Sequence, residues 1–233
     1  MDTSASLTSA PRPLRWLGAL YALSALAAIA AASDWLPGAW FWVLKPLTTA
    51  LLIAHLARHE GPDRALRRWV LTGLVFSLAG DTALLWREGF TVGLVCFLVA
   101  HLAYIVAFTR HVRLLARWEP FVFYGLVAAG VLTHLWAGVP GPLRVAVMAY
   151  VMCLVAMAAQ AAVWAWVARP TPALRPAAWA AVGGALFVAS DSLLAIDRFT
   201  HPLPWRDVWV LGTYWAAQWC IAKSALRHSM RQP

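Results

Sequence analysis

The feature that most constrains this chain is a succession of apolar runs of about 20 residues, the length at which a helix crosses a bilayer core. Each run is closed by proline, glycine or charge, and together they fill almost the whole sequence. They predict eight helices, at roughly 14–32, 39–57, 67–86, 89–110, 118–136, 143–168, 173–197 and 206–226. The connections between them are short, for example "SDWLPG", "REG", "AGVPGP" and "THPLPWRD". No length is left over for a water-soluble domain. The expectation is an all-α polytopic membrane protein, a single bundle of eight transmembrane helices over 1–233, with short tails at 1–13 and 227–233.

Composition agrees, with 62% hydrophobic and only 12% charged residues. The net charge of +9 does not read as a nucleic-acid surface, because the basic residues stand between apolar runs rather than in one stripe. They read as orientation signals. Fourteen of the 19 Arg and Lys residues fall at the N-terminus, the C-terminus and the second, fourth and sixth connections. Arg87, Arg144, Arg198 and Arg206 lie at the other ends of the helices, and Lys45 lies inside one. This bias places both termini in the cytoplasm. The first run follows Arg12 and Arg15 and ends in small residues, but its length reads as a retained helix rather than a signal peptide. Many of the 15 tryptophans stand near run ends, as aromatic belts require. Cys96, Cys153 and Cys220 lie inside apolar segments without a CxxC pair and read as small core residues.

An ionisable group inside a membrane helix costs about 2.5–3.5 kcal/mol on insertion scales, so it faces the bundle interior and has a partner or a function. The chain holds few such groups. Lys45 lies in "FWVLKPLTTALL", Asp81 in "FSLAGDTALL", His101 and Tyr104 in "CFLVAHLAYIVAF", and Tyr150 in "VAVMAYVMCL". Ser190 and Asp191 lie in "ALFVASDSLLAI", and Tyr214 and Gln218 in "VLGTYWAAQWC". Counted from the non-cytoplasmic helix ends, Lys45, Asp81, Tyr150, Asp191 and Tyr214 stand about five to eight residues in, or roughly 8–12 Å at helical rise. His101 and Gln218 are about a turn deeper. Six helices thus contribute to one layer, which predicts one polar cavity. His101 and Tyr104, three apart, share a helix face, as do Tyr214 and Gln218, four apart. Pro46 removes a backbone hydrogen bond next to Lys45. "GDTALL" and "SDSLLA" also echo one another four helices apart, as in a parallel duplication.

No metal site is expected. His55 and His59 have i, i+4 spacing but no acidic partner in an HExxH pattern. No phosphate-binding glycine loop or GxSxG elbow is present either. Two intramembrane carboxyl groups suit general acid–base chemistry, because low dielectric favours a neutral acid while a nearby cation favours a carboxylate. The same groups suit a proton-coupled transporter, and a lipid-binding protein is a further alternative.

"KPLTT", "FSLAGDTALL", "FLVAHLAY", "GGALFVASDSLLA" and "YWAAQWCI", in that order along the chain, resemble the YhhN family, which includes the TMEM86 lysoplasmalogenases. The resemblance implies an eight-helix membrane hydrolase; no cofactor is expected, and the Ala- and Trp-rich composition reads as bacterial, so the expected location is the inner (cell) membrane of a bacterium. Its substrate would be a lysoplasmalogen, a single-chain ether phospholipid whose vinyl-ether bond is cleaved to a fatty aldehyde and a glycerophospho-headgroup. On that basis Asp81 and Asp191 are expected to be catalytic, one as acid and one as carboxylate. Lys45, His101, Tyr104, Tyr150, Ser190, Tyr214 and Gln218 are expected to support them or bind substrate.

Overall fold

A computed structural model describes residues 15–59 and 61–226. Arg12, Arg227, His228, Arg231 and the expected tails lie outside these residues. Within them the chain forms eight α-helices: α1 (Arg15–Ala32), α2 (Phe41–Arg58), α3 (Arg64–Ala83), α4 (Phe90–Thr109), α5 (Glu119–Leu135), α6 (Arg144–Val167), α7 (Leu174–Phe199) and α8 (Arg206–Ser224). Short 3-10 turns lead into α2 and α6 and follow α5, and no strand occurs among the described residues.

The helices begin and end where local chemistry dictates. Asp63 caps α3, its carboxylate accepting the amides of Ala65 at 2.7 Å and Leu66 at 3.0 Å. That cap starts α3 at Arg64, three residues before the apolar run. At its other end α3 stops at Ala83, where the chain turns through Leu84, Leu85 and Trp86 toward Gly89. Asp197 fastens the α7–α8 connection by accepting the Leu203 amide at 3.0 Å and Arg206 Nε at 2.8 Å.

Seven helices close a ring. In spatial order α1, α2, α3, α4, α6, α7 and α8 each pack on the next, and α8 returns to α1. The fifth helix stands outside the ring, against α6 and α7. Close approach within the ring uses glycine at particular points. A methyl group on Gly73 of α3 would stand 2.1 Å from a Tyr104 ring carbon of α4, and one on Gly183 of α7 would meet Ile221 and the Ala217 carbonyl of α8.

The exterior is apolar, with Leu23, Leu26, Phe123, Leu126 and Met152 exposed. Trp35, Trp40, Trp86, Trp118, Trp205 and Trp209 are also exposed, at or near helix ends, as an interfacial belt requires. Among the described residues five segments are long and apolar enough to cross a membrane: Gly38–Arg58, Phe90–Thr109, Glu119–Gly138, Gly141–Val167 and Leu174–Phe199. The first helix is apolar but shorter. Both α3 and α8 carry charged end turns, with Arg64, Arg67 and Arg68 on one and Arg206, Asp207 and Lys223 on the other.

Candidate active site

A cavity of about 550 Å³ opens at the end of the bundle where α3 and α7 finish and α4 and α8 begin. Five helices set polar side chains into its wall: Lys45 from α2, Asp81 from α3, Tyr150 from α6, Ser190 and Asp191 from α7, and Tyr214 from α8. Lys45 and Asp81 are almost wholly buried, at 6% and 1% exposure.

Asp81 is held by hydroxyl groups. Its Oδ2 accepts from Thr49 Oγ1 at 2.6 Å and from Tyr214 OH at 2.8 Å. Behind Tyr214, Gln218 Nε2 donates to the phenol oxygen at 3.3 Å, and Gln218 Oε1 accepts from Tyr104 OH at 2.7 Å. The orientation of the Gln218 amide sets the directions in this chain. A Tyr104 hydroxyl facing an amide oxygen must donate, and the Gln218 amide nitrogen can only donate onward. Tyr214, accepting from Gln218, therefore gives its own proton to Asp81. One carboxylate oxygen facing two O–H donors is an acceptor, not a proton carrier, which suits an ionised Asp81.

Asp191 has a sparser setting. Its Oδ2 accepts from Tyr150 OH alone, one donor where Asp81 has two, and among the described residues neither its Oδ1 nor that of Asp81 has a hydrogen-bond partner. Asp191 Oδ1 is available to hold a proton and present it to a ligand.

The remaining expected residues divide by position. His101 is wholly buried behind Tyr150, edge-on to Phe187 with ring centroids 4.7 Å apart and 5.3 Å from the Tyr150 ring. Neither ring nitrogen has a partner, so His101 packs the site without lining it. Tyr104 and Gln218 form the relay described above, also behind the cavity wall. Ser190 donates to the Val210 carbonyl at 3.0 Å, tying α7 to the start of α8. Among the described residues Lys45 forms no ion pair, and its ammonium lies 5.6 Å from the Phe41 ring centroid. Away from the site, the His55 and His59 rings pack with centroids 4.2 Å apart and planes tilted by 42°. No cluster of three or more His, Cys, Asp or Glu side chains suited to a metal ion occurs among the described residues.

Thr49 was not among the expected site residues, although it stands four positions after Lys45 and so on the same helix face. Arg87, Arg198 and Arg206 also line the cavity, at its mouth. Their signal in the sequence was their rarity, since they are three of only four arginines at that end of the helices. The cavity then runs on as an apolar branch walled by Val131 and Leu132 of α5, Val147 and Val151 of α6, and Leu194 and Ala195 of α7. It is thus amphipathic, basic at the mouth, acidic in the middle and apolar along α5.

Comparison with known proteins gives matches over most of the chain. The YhhN family model matches residues 40–225. A mouse protein named lysoplasmalogenase TMEM86B is 36% identical over 166 residues, which cover 69% of this chain and 65% of the mouse protein. Human lysoplasmalogenase TMEM86B is 32% identical over 201 residues, covering 83% of this chain and 80% of the human one. A lysoplasmalogenase of Mycobacterium tuberculosis is 33% identical over 161 residues, 66% of this chain and 56% of that protein. The chain thus spans a little under two thirds of the mouse relative and more of the human one. No solved structure matches it.

Proposed function

This chain belongs to the YhhN family, and we propose that it is a membrane hydrolase cleaving the vinyl-ether bond of a lysoplasmalogen with Asp81 and Asp191 as its acid–base pair. The observation that carries the proposal is that two differently partnered carboxyl groups line one amphipathic cavity. Its polar and apolar ends match a single-chain lipid, and its relatives bear the name lysoplasmalogenase.

The difference in donors between the two carboxyl groups supports one division of roles. Asp191, with one O–H donor against the two on Asp81, is the neutral acid and gives its proton to the alkenyl carbon beyond the ether carbon. An oxocarbenium ion forms, and the ionised Asp81 stabilises it and takes a proton from the water that attacks the ether carbon. The product of that step is a hemiacetal. It collapses as its hydroxyl proton returns to Asp191 and the proton on Asp81 passes to the departing glycerol oxygen. One water is consumed, a fatty aldehyde and a glycerophospho-headgroup leave, and both carboxyl groups regain their starting states. Lys45 contributes positive charge that favours the carboxylate form of Asp81. Tyr150 orients Asp191, and His101, edge-on to Phe187, braces Tyr150.

In this account all eight helices cross the membrane as one domain, with α1, α3 and α8 carried across by packing inside the ring. Both termini face the cytoplasm, following the arginine bias, and the membrane is the inner (cell) membrane of a bacterium. The test is a product assay with purified protein in detergent and no ion gradient, using matched alkenyl, alkyl and acyl lysophospholipids. Aldehyde release from the alkenyl lipid alone is expected. Fatty-acid release from the acyl lipid would make the protein a lysophospholipase. Lipid movement in sealed vesicles with no bond broken would make it a carrier.

A further inference from the structure

We propose that Arg87 and Arg198, steadied by Arg206, form a clamp for the phosphodiester of the lipid headgroup. The inference rests on the hydrolase reading for its place in catalysis but not for its binding chemistry. All three arginines line the cavity mouth and are close enough for the charges of Arg87 and Arg206 to act on Arg198.

Their partners differ. Arg206 is occupied by Asp197 at 2.8 Å and Asp207 at 3.1 Å, which fix its position and neutralise much of its charge. Neither Arg87 nor Arg198 forms an ion pair or a side-chain hydrogen bond among the described residues. The Arg198 guanidinium lies 3.9 Å from the centre of the Phe90 ring. The aromatic face holds its plane while leaving its edge N–H donors free, an arrangement suited to two-point recognition of a phosphate.

Register connects this clamp to the acid. Asp191, Leu194, Ala195 and Arg198 all line the cavity, and their spacing of i, i+3, i+4 and i+7 is one face of α7. Arg198 therefore stands two turns from Asp191, roughly 10 Å along the axis at helical rise. Side chains lean toward the helix N-terminus, so the guanidinium reaches back toward Asp191. In a glycerophospholipid five bonds separate the ether oxygen from phosphorus, roughly 6 Å when extended at ordinary bond lengths. A lipid with its phosphate on Arg198 thus brings its ether oxygen to the level of Asp191, and its chain continues into the apolar branch along α5.

The test uses binding as well as turnover. A non-cleavable 1-O-alkyl-glycerophosphocholine and the corresponding phosphate-free 1-O-alkylglycerol are titrated against the purified full chain in detergent, with intrinsic tryptophan fluorescence as the readout. The wild type is expected to prefer the phosphate-bearing lipid by about tenfold or more, as charge-assisted hydrogen bonds provide. The double variant Arg87→Gln/Arg198→Gln is expected to lose that preference. Arg198→Lys, which keeps the charge but not the fork, is expected to retain part of it. Arg144→Gln is the control, because Arg144 occupies the same end of the bundle but stacks on Trp136 outside the cavity. A preference that survives in the double variant, or that disappears equally in Arg144→Gln, overturns the clamp. Failure of the protein to cleave any alkenyl lipid would count against the hydrolase reading and leave this binding result to stand by itself.

Discussion

Tyr214 donates its phenol proton to Asp81 across 2.8 Å, joining α8 to α3 over 133 positions of sequence. The bond is one end of a relay from Tyr104 through Gln218, so removing the phenol disturbs both the carboxylate and the groups behind it. Tyr214→Phe is expected to lower kcat by roughly 10–100-fold, the equivalent of a hydrogen bond to a charged group, with KM nearly unchanged. Gln218→Leu should act in the same direction with less effect. Because the two residues share one chain, the double variant should fall short of the product of the single effects. Steady-state kinetics of aldehyde release reads all three, and an unchanged kcat in Tyr214→Phe would remove the relay from the mechanism.

Gly73 controls whether that relay can form. A methyl group at this position would lie 2.1 Å from Tyr104 Cε1, so the ring that carries the hydroxyl bonded to Gln218 must shift. Gly73→Ala is therefore expected to lower stability by about 1–3 kcal/mol through overpacking and to lower kcat as well. Gly130 in α5 has open space around it. Gly130→Ala should leave stability unchanged or raise it by up to about 1 kcal/mol through helix propensity. Thermal unfolding in detergent compares the two.

The cap of α3 predicts a pH dependence remote from the cavity. Burial works to raise the Asp63 carboxyl, but the Leu66 and Ala65 amides, His111 and Arg110 outweigh it and hold the group below the usual carboxylate range. Burial against the Trp164 ring pushes His111 below the ordinary imidazole value, with Asp63 opposing. In both cases the folded value lies below the unfolded one, so the stability is present at neutral pH and lost on acidification. The His111 contribution should fade as pH falls below about 6.5, and that of Asp63 below about 4. At pH 7 Asp63→Ala is expected to cost about 1 kcal/mol, whereas Asp63→Asn should cost less because it can still cap. The difference between wild type and Asp63→Ala should shrink in acid, as melting temperatures across pH would report.

The sequence made the polar layer legible for a physical reason. A carboxylate facing lipid is costly, so Asp81 and Asp191 had to face inward, and depth counting then brought Lys45, Tyr150 and Tyr214 to the same cavity. Helix number was legible for a similar reason, since each run needs its own breaker. The placement of α5 was not. A helix that is apolar all round looks alike whether lipid or protein surrounds it, and only the structure sets this one outside the ring with its inner face along the cavity. That Lys45 forms no ion pair among the described residues was also hidden, because opposite charges in one layer need not touch. Thr49 carried a signal at helical spacing from Lys45, but an uncharged hydroxyl does not stand out in an apolar run.

The most direct measurement is aldehyde release from an alkenyl lysophospholipid by Asp81→Asn and Asp191→Asn, each compared with wild type for unfolding temperature and monodispersity in detergent. The side chains keep their size, so the fold should persist. Activity is expected to fall by about 10²–10⁴-fold in each, the contribution of a positioned acid or base. Undiminished release from either folded variant would contradict the two-aspartate account.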